Sequence, residues 1–81
     1  MIIKVLGPGC ANCQNLEANA KEAAKDFDEN IEIQKVTNIN EITAYGIIRT
    51  PGLIINDQIK SQGKIPVIET IKQWISEASK G

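Results

Sequence analysis

The chain opens with Ile2-Ile3-Lys4-Val5-Leu6, a short and nearly continuous apolar run that Gly7-Pro8-Gly9 stops. Successive residues of an extended chain point to opposite faces, so an unbroken apolar run predicts a strand covered on both sides. From Cys10 to about Phe27 the period changes to that of a helix. Cys13, Leu16, Ala20, Ala23, Ala24 and Phe27 fall on one face, with Glu17, Lys21, Glu22 and Lys25 on the other. Glu17 and Lys21 also form a favourable i,i+4 pair. Asp28-Glu29-Asn30 is a polar break, and Ile31-Glu32-Ile33-Gln34-Lys35-Val36 then alternates at first, as a half-buried edge strand does.

Asn38 followed by Glu41 has the form of a helix N-cap with its reciprocal partner. A short helix through Ile42 and Tyr45 would end at Gly46, a favourable residue just past a helix end. Leu53-Ile54-Ile55 is again continuous and apolar, so a central strand. Asn56-Asp57 supplies turn chemistry, and the polar arm Gln58–Gln62, ended by Gly63, closes a hairpin at the sheet edge. Pro66 suits the first turn of a last helix, with Val67, Ile68, Ile71, Trp74, Ile75 and Ala78 on its inner face and Lys80-Gly81 as a frayed tail. The predicted order is β-α-β-α-β-β-α. Strand, helix, strand in the first half implies a parallel pair. The continuously apolar first and third strands belong in the middle of the sheet, the alternating second and polar fourth at its edges. The expected four-stranded mixed sheet has order 2-1-3-4, with helices on both faces.

Eighty-one residues suit one domain, 1–81, of which 42 % are hydrophobic. A chain of this size buries roughly 60 % of its unfolded surface, so its core is adequate but small. The net charge is −1 with no basic block, which speaks against nucleic-acid binding. No apolar run approaches the roughly 18 residues of a membrane span. Met1–Leu6 is too short for the core of a signal peptide. The expected location is therefore cytoplasmic. The absence of histidine removes the commonest general base and most mixed zinc sites.

The chemistry lies between the first strand and the first helix, in Gly7-Pro8-Gly9-Cys10-Ala11-Asn12-Cys13. Cys10 and Cys13 are the only cysteines. Side chains three residues apart at a helix start lie about 5–6 Å apart, close enough for a disulfide to form and reopen with little backbone movement. In a reducing compartment a cysteine pair more often means catalysis or metal than a structural staple. A bridge closing so small a loop would also remove little chain entropy. Cys10, at the helix start, is the candidate nucleophile, because unpaired N–H groups and the helix dipole favour a thiolate there. Cys13, one turn in and beside Leu16 and Ala20, is the candidate resolving thiol. Gly7 and Gly9 let the chain turn sharply and leave the sulfur open.

The same two thiolates could instead hold a soft metal ion such as Cu(I) or Zn(II). Small metal-binding domains carry Cys-x-x-Cys in this position, but they end on a strand and usually have Met two residues before the first cysteine. Here the chain ends on a helix and Pro8 stands there. One dithiol also supplies only two of the four ligands of a closed zinc site. A third reading, a module that only binds a partner protein, would leave Cys10 dispensable.

The second diagnostic stretch is Ala44-Tyr45-Gly46-Ile47-Ile48-Arg49-Thr50-Pro51-Gly52-Leu53. Proline cannot donate to a sheet ladder, and X-Pro is the one bond at which cis is readily accessible. With this stretch in place, the chain resembles a minimal thioredoxin-fold protein of the small archaeal and bacterial redox type, over essentially its whole length. Thioredoxins carry Tyr-Gly-Ile/Val-Arg-x-x-Pro-Thr-Leu before their third core strand. The resemblance implies a cis-proline at Pro51 facing Cys10 and Cys13, and a Thr50 backbone offered to an extended substrate segment. It implies protein disulfide substrates, a flavin-dependent reductase as electron donor and no bound cofactor; a monomer is the expected state. The chain departs from the pattern at Gly9, where thioredoxins have Trp, and at Ala11-Asn12, where they have Gly-Pro. It departs again at Lys4, where they have a buried acid, and in an Arg49-to-Pro51 spacing one residue short.

Overall fold

A computed structural model describes residues 1–27 and 30–80; Asp28 and Glu29 of the expected polar break, and Gly81 of the expected tail, lie outside the described residues. The elements are β1 (Ile2–Leu6), α1 (Ala11–Ala24), β2 (Glu32–Val36), α2 (Ile39–Ala44), β3 (Gly52–Ile55), β4 (Gln58–Gln62) and α3 (Ile68–Lys80). The sheet order is β2-β1-β3-β4. β1 runs parallel to β2 and antiparallel to β3, and β3 is antiparallel to β4. The order follows from the hydrophobic pattern: β3 is buried at every position, whereas β2 and β4 carry exposed residues.

Alternation along the two inner strands divides the interior into two cores. Ile3 and Val5 of β1 and Leu53 and Ile55 of β3 face Leu16, Ala20 and Ala23 of α1 and Ile71 and Ile75 of α3. The opposite face gathers Leu6, Val36 and Ile54 under Ile42 of α2 and Ile47. Helices therefore cover both faces, two on one side and the short α2 on the other. Each of these two helices is also tied to the segment flanking the other, by Asn19 Nδ2 of α1 donating to the Pro66 carbonyl just before α3 at 3.1 Å and by an ion pair of Lys72 of α3 with Asp26 just after α1.

The turns obey local chemistry. Asn38 Oδ1 accepts from the Glu41 N–H at 3.1 Å and caps α2. At the other end Gly46 has φ +91°, its N–H bonds to the Thr43 carbonyl, and the Ile47 N–H bonds to the Ile42 carbonyl. This is a Schellman closure, completed by the contact of Ile42 with Ile47 in one core. Asn56 and Asp57 both take positive φ, 48° and 68°, as a two-residue hairpin turn matched to strand twist demands.

Three details differ from the expectation. α3 begins at Ile68, with Pro66 and Val67 outside it; the Val67 carbonyl accepts the first helical bond from Ile71, and its side chain is 63 % exposed rather than part of the inner face. At its other end α3 runs through Lys80, so the expected frayed tail is helical up to that residue. The pairing of β3 with β4 also shifts between Leu53 and Ile54, so that Lys60 is the extra residue of a bulge.

Ile75→Ala should lower stability by about 2–5 kcal/mol, as expected for opening a cavity in a fully buried site. Val67→Ala should change it by less than about 0.5 kcal/mol, as at other exposed positions. Urea unfolding of the two variants checks both figures.

Candidate functional site

The fold brings the β1–α1 turn beside the segment that leads into β3. Gly9 has φ +95° and open space around its α-carbon, so glycine is required there by backbone conformation. Gly7 is different. A β-carbon at that position would lie 2.2 Å from Cys13 Sγ and 3.7 Å from Thr50 Cβ. Its role is to leave room for the sulfur, not to permit a sharp turn as its sequence context suggested. Cys13 and Thr50 thus flank one bare α-carbon, which brings the helix and the loop before β3 together.

Cys10 is the N-cap of α1, with extended backbone (φ −68°, ψ 168°). Its Sγ accepts from the Cys13 backbone N–H at 3.3 Å. This is the position at which Ser, Thr, Asp or Asn ordinarily accepts such a bond. No acidic residue occupies the first turn of α1, so the positive end of the helix is left to the sulfur. Cys10 is exposed and Cys13 is buried, and both are free thiols.

The two sulfurs are pushed in opposite directions. The hydrogen bond from the Cys13 thiol, then the Cys13 backbone N–H, hold Cys10 below the ordinary cysteine range; burial opposes them, and the N–H groups of Asn12 and Cys10 itself add to the lowering. Burial pushes the Cys13 thiol up, and the hydrogen bond it makes to Cys10 pushes it further. The arrangement therefore distinguishes an outer sulfur that ionises readily from an inner one that keeps its proton.

The loop before β3 is fastened from the β4 side. The Ile48 N–H bonds to Gln62 Oε1 at 2.8 Å, and the Gly63 N–H bonds to the Pro51 carbonyl at 2.9 Å. The Thr50–Pro51 peptide bond is cis, Pro51 is buried and Thr50 is exposed. Among the described residues no three His, Cys, Asp or Glu side chains converge as a metal-binding group.

A family model described as "Thioredoxin domain" matches residues 1–76. A protein named thioredoxin from Methanothermobacter thermautotrophicus is 38 % identical over 76 residues, covering 94 % of this chain and 99 % of its own. Another of that name, from Methanocaldococcus jannaschii, is 36 % identical over 81 residues, covering all of this chain and 93 % of its own. The chain belongs to the thioredoxin family.

Within this thioredoxin domain, Lys4 stands where the sequence comparison expects a buried acid. It lies on the α2 side of the sheet, where its Nζ donates to the Tyr45 hydroxyl at 2.9 Å and sits 4.4 Å from the centre of that ring. Tyr45 is 41 % exposed, so it lies outside the buried core and its ring is engaged by Lys4. Trp74 packs against the larger core, as its position on α3 suggests. Arg49 is exposed and its side chain lies over Gly63.

Sequence reasoning missed one residue that shares a cavity with Cys13. Glu17, placed on the outer face by its charge, is only 16 % exposed and bonds to Lys35 across from β2 as well as to Lys21. Helix geometry held the signal: a residue four places on is rotated by roughly 40°, closer to Cys13 in angle than Leu16.

Alkylation should reveal the asymmetry of the thiols. At neutral pH the reduced protein should be modified at Cys10 first, with a rate–pH midpoint below that of an unstructured cysteine, while Cys13 reacts only at higher pH. Peptide mapping after brief iodoacetamide treatment reads both. Gly7→Ala should cost about 1–3 kcal/mol through forced repacking around Cys13, measured by urea unfolding.

Proposed function

We propose that this thioredoxin-family chain is a thiol–disulfide oxidoreductase that reduces protein disulfides. The observation that carries the reading is the Cys10 sulfur at the N-cap of α1, exposed and accepting the Cys13 N–H, with the second thiol buried one turn behind. A nucleophile must be both ionised and reachable; the resolving group must be close and shielded from competing disulfides.

In this reading the Cys10 thiolate attacks one sulfur of a substrate disulfide. A bond forms between Cys10 and that sulfur, and the other substrate sulfur leaves as a thiolate that takes a proton from solvent. Cys13 then loses its proton and attacks Cys10 Sγ. The Cys10–Cys13 bond forms and the second substrate thiolate departs. Two electrons pass from the dithiol to the substrate, which is fully reduced. A separate donor, a flavin-dependent reductase, returns the dithiol to its reduced form, and the protein needs no resident cofactor. Thr50 offers its backbone to an extended substrate segment and Pro51 shapes the groove, a role supported by the approach of Thr50 to Cys13 across Gly7. A reducing cytoplasm suits a dithiol that works in this direction.

Reduction of insulin disulfides, followed as turbidity in metal-free buffer with dithiothreitol, tests the proposal. The wild type should accelerate the reaction and Cys10→Ser should abolish the acceleration. Cys13→Ser should accumulate a mixed disulfide with substrate, visible by mass. Failure of the reduced wild type to accelerate would overturn the reading and direct attention to stoichiometric Cu(I) or Zn(II) binding by the dithiol.

A further inference from the structure

The second chemical step leaves one proton to be accounted for. Burial pushes the Cys13 thiol up, so at neutral pH it carries a proton that must go elsewhere as its sulfur attacks. Beside it lies a cavity of about 50 Å³ whose lining includes Gly7, Cys13, Gln14, Glu17, Lys35 and Thr37. One water molecule needs about 10–15 Å³ of such space, so the cavity admits water against Cys13. Of these groups only Glu17 is a carboxylate. Lys35 is an ammonium, Gln14 is turned to donate to the Gly9 carbonyl at 3.3 Å, and neither Gln nor Thr takes a proton at neutral pH.

We propose that Glu17, acting through water in this cavity, accepts the Cys13 proton when the mixed disulfide is resolved. The position is well defined. Cys13 and Glu17 are one turn apart on α1, and the carboxylate is held by Lys21 at 3.1 Å on its own helix and by Lys35 at 3.6 Å from β2. Among the described residues, those two ammonium groups and the Cys13 thiol are the charged and titratable groups set beside it on α1 and β2. On β1, Lys4 is turned to the other face toward Tyr45. In the step, the Cys13 S–H bond breaks as the Cys13–Cys10 bond forms; the proton passes to water and on to Glu17, and the substrate thiolate leaves. Coupling the transfer to bond formation avoids a free thiolate in a buried place. The 16 % exposure of Glu17 then lets the proton reach solvent.

This inference rests on the disulfide-exchange reading, and one stopped-flow experiment separates the two. Reduced protein mixed with 5,5′-dithiobis(2-nitrobenzoate) releases one coloured thiolate when Cys10 attacks and a second when Cys13 resolves; Cys13→Ser gives the first release only. In Glu17→Gln the first release should stay within about twofold of wild type. The second should slow at least about tenfold at pH 7, the lower end of what a positioned base contributes. The deficit should shrink as pH rises and hydroxide removes the proton directly, and Glu17→Asp should restore part of the rate. A second release at the wild-type rate at every pH would overturn the role of Glu17 and leave disulfide exchange standing. Slowing by the same factor at every pH would overturn it too, as the sign of a merely structural effect. A wild type that gives no second release would overturn the exchange reading itself.

Discussion

The site depends on a single hydrogen bond at the start of α1, from the Cys13 backbone N–H to the Cys10 sulfur. A helix must leave its first N–H groups without backbone partners, and here a sulfur takes the place that an oxygen-bearing cap usually holds. The same bond fixes the spacing: the sulfur that accepts it is at the helix boundary, and the residue that donates it is necessarily one turn inside. One cysteine is therefore exposed and stabilised as an anion, while the other shares its helical face with Leu16 and Ala20 and is buried. Different reactivities for two chemically identical side chains follow from where the helix begins.

That boundary is held from three directions. Gly9 adopts a backbone conformation that other residues enter only with strain. Gly7 allows the inner sulfur to approach the end of β1. The larger core anchors α1 to the sheet through Leu16, Ala20 and Ala23. On the far side, β4 fastens the loop containing Thr50 through Gln62 and Gly63. The bulge at Lys60 resets the register of β4, so that Gln62 comes opposite Gly52, where its side chain reaches the Ile48 N–H. An edge strand that contributes little to the core thus helps to position the loop beside the dithiol.

Element order, sheet order and the two cysteines were legible because each is written in a short-range pattern. The unbroken apolar runs of β1 and β3 identify the inner strands, and Asn38, Gly46 and Asn56-Asp57 mark helix ends and a turn through their own backbone preferences. What escaped depended on contacts across the fold. Pro66 is compatible with a helix start or with the residues preceding one, and in the fold its carbonyl accepts from Asn19 of α1 while the helix begins at Ile68. The bulge at Lys60 has no local signature, since Gln58–Gln62 reads as a uniform polar strand. Gly7 resembled another turn glycine until Cys13 came to lie against it. Glu17 is the exception: it was assigned by charge to the outer face, although its place one helical turn after Cys13 already turned it inward, where it meets Lys35.

The topology of the sheet has a consequence for assembly. β1 is the first strand in the chain, yet it lies between β2 and β3, with Ile3 opposite both Ile33 and Ile55. The β1–α1–β2 segment can therefore form while one side of β1 still has open hydrogen-bonding groups, and only the later hairpin of β3 and β4 closes it. Contacts between such distant parts of a chain form late, because the entropy of closing the intervening loop is lost before any pairing is gained. Thr50 and Pro51 enter on that same hairpin. The dithiol and the loop beside it therefore come from segments that pair with opposite edges of β1, and they meet only in the completed sheet.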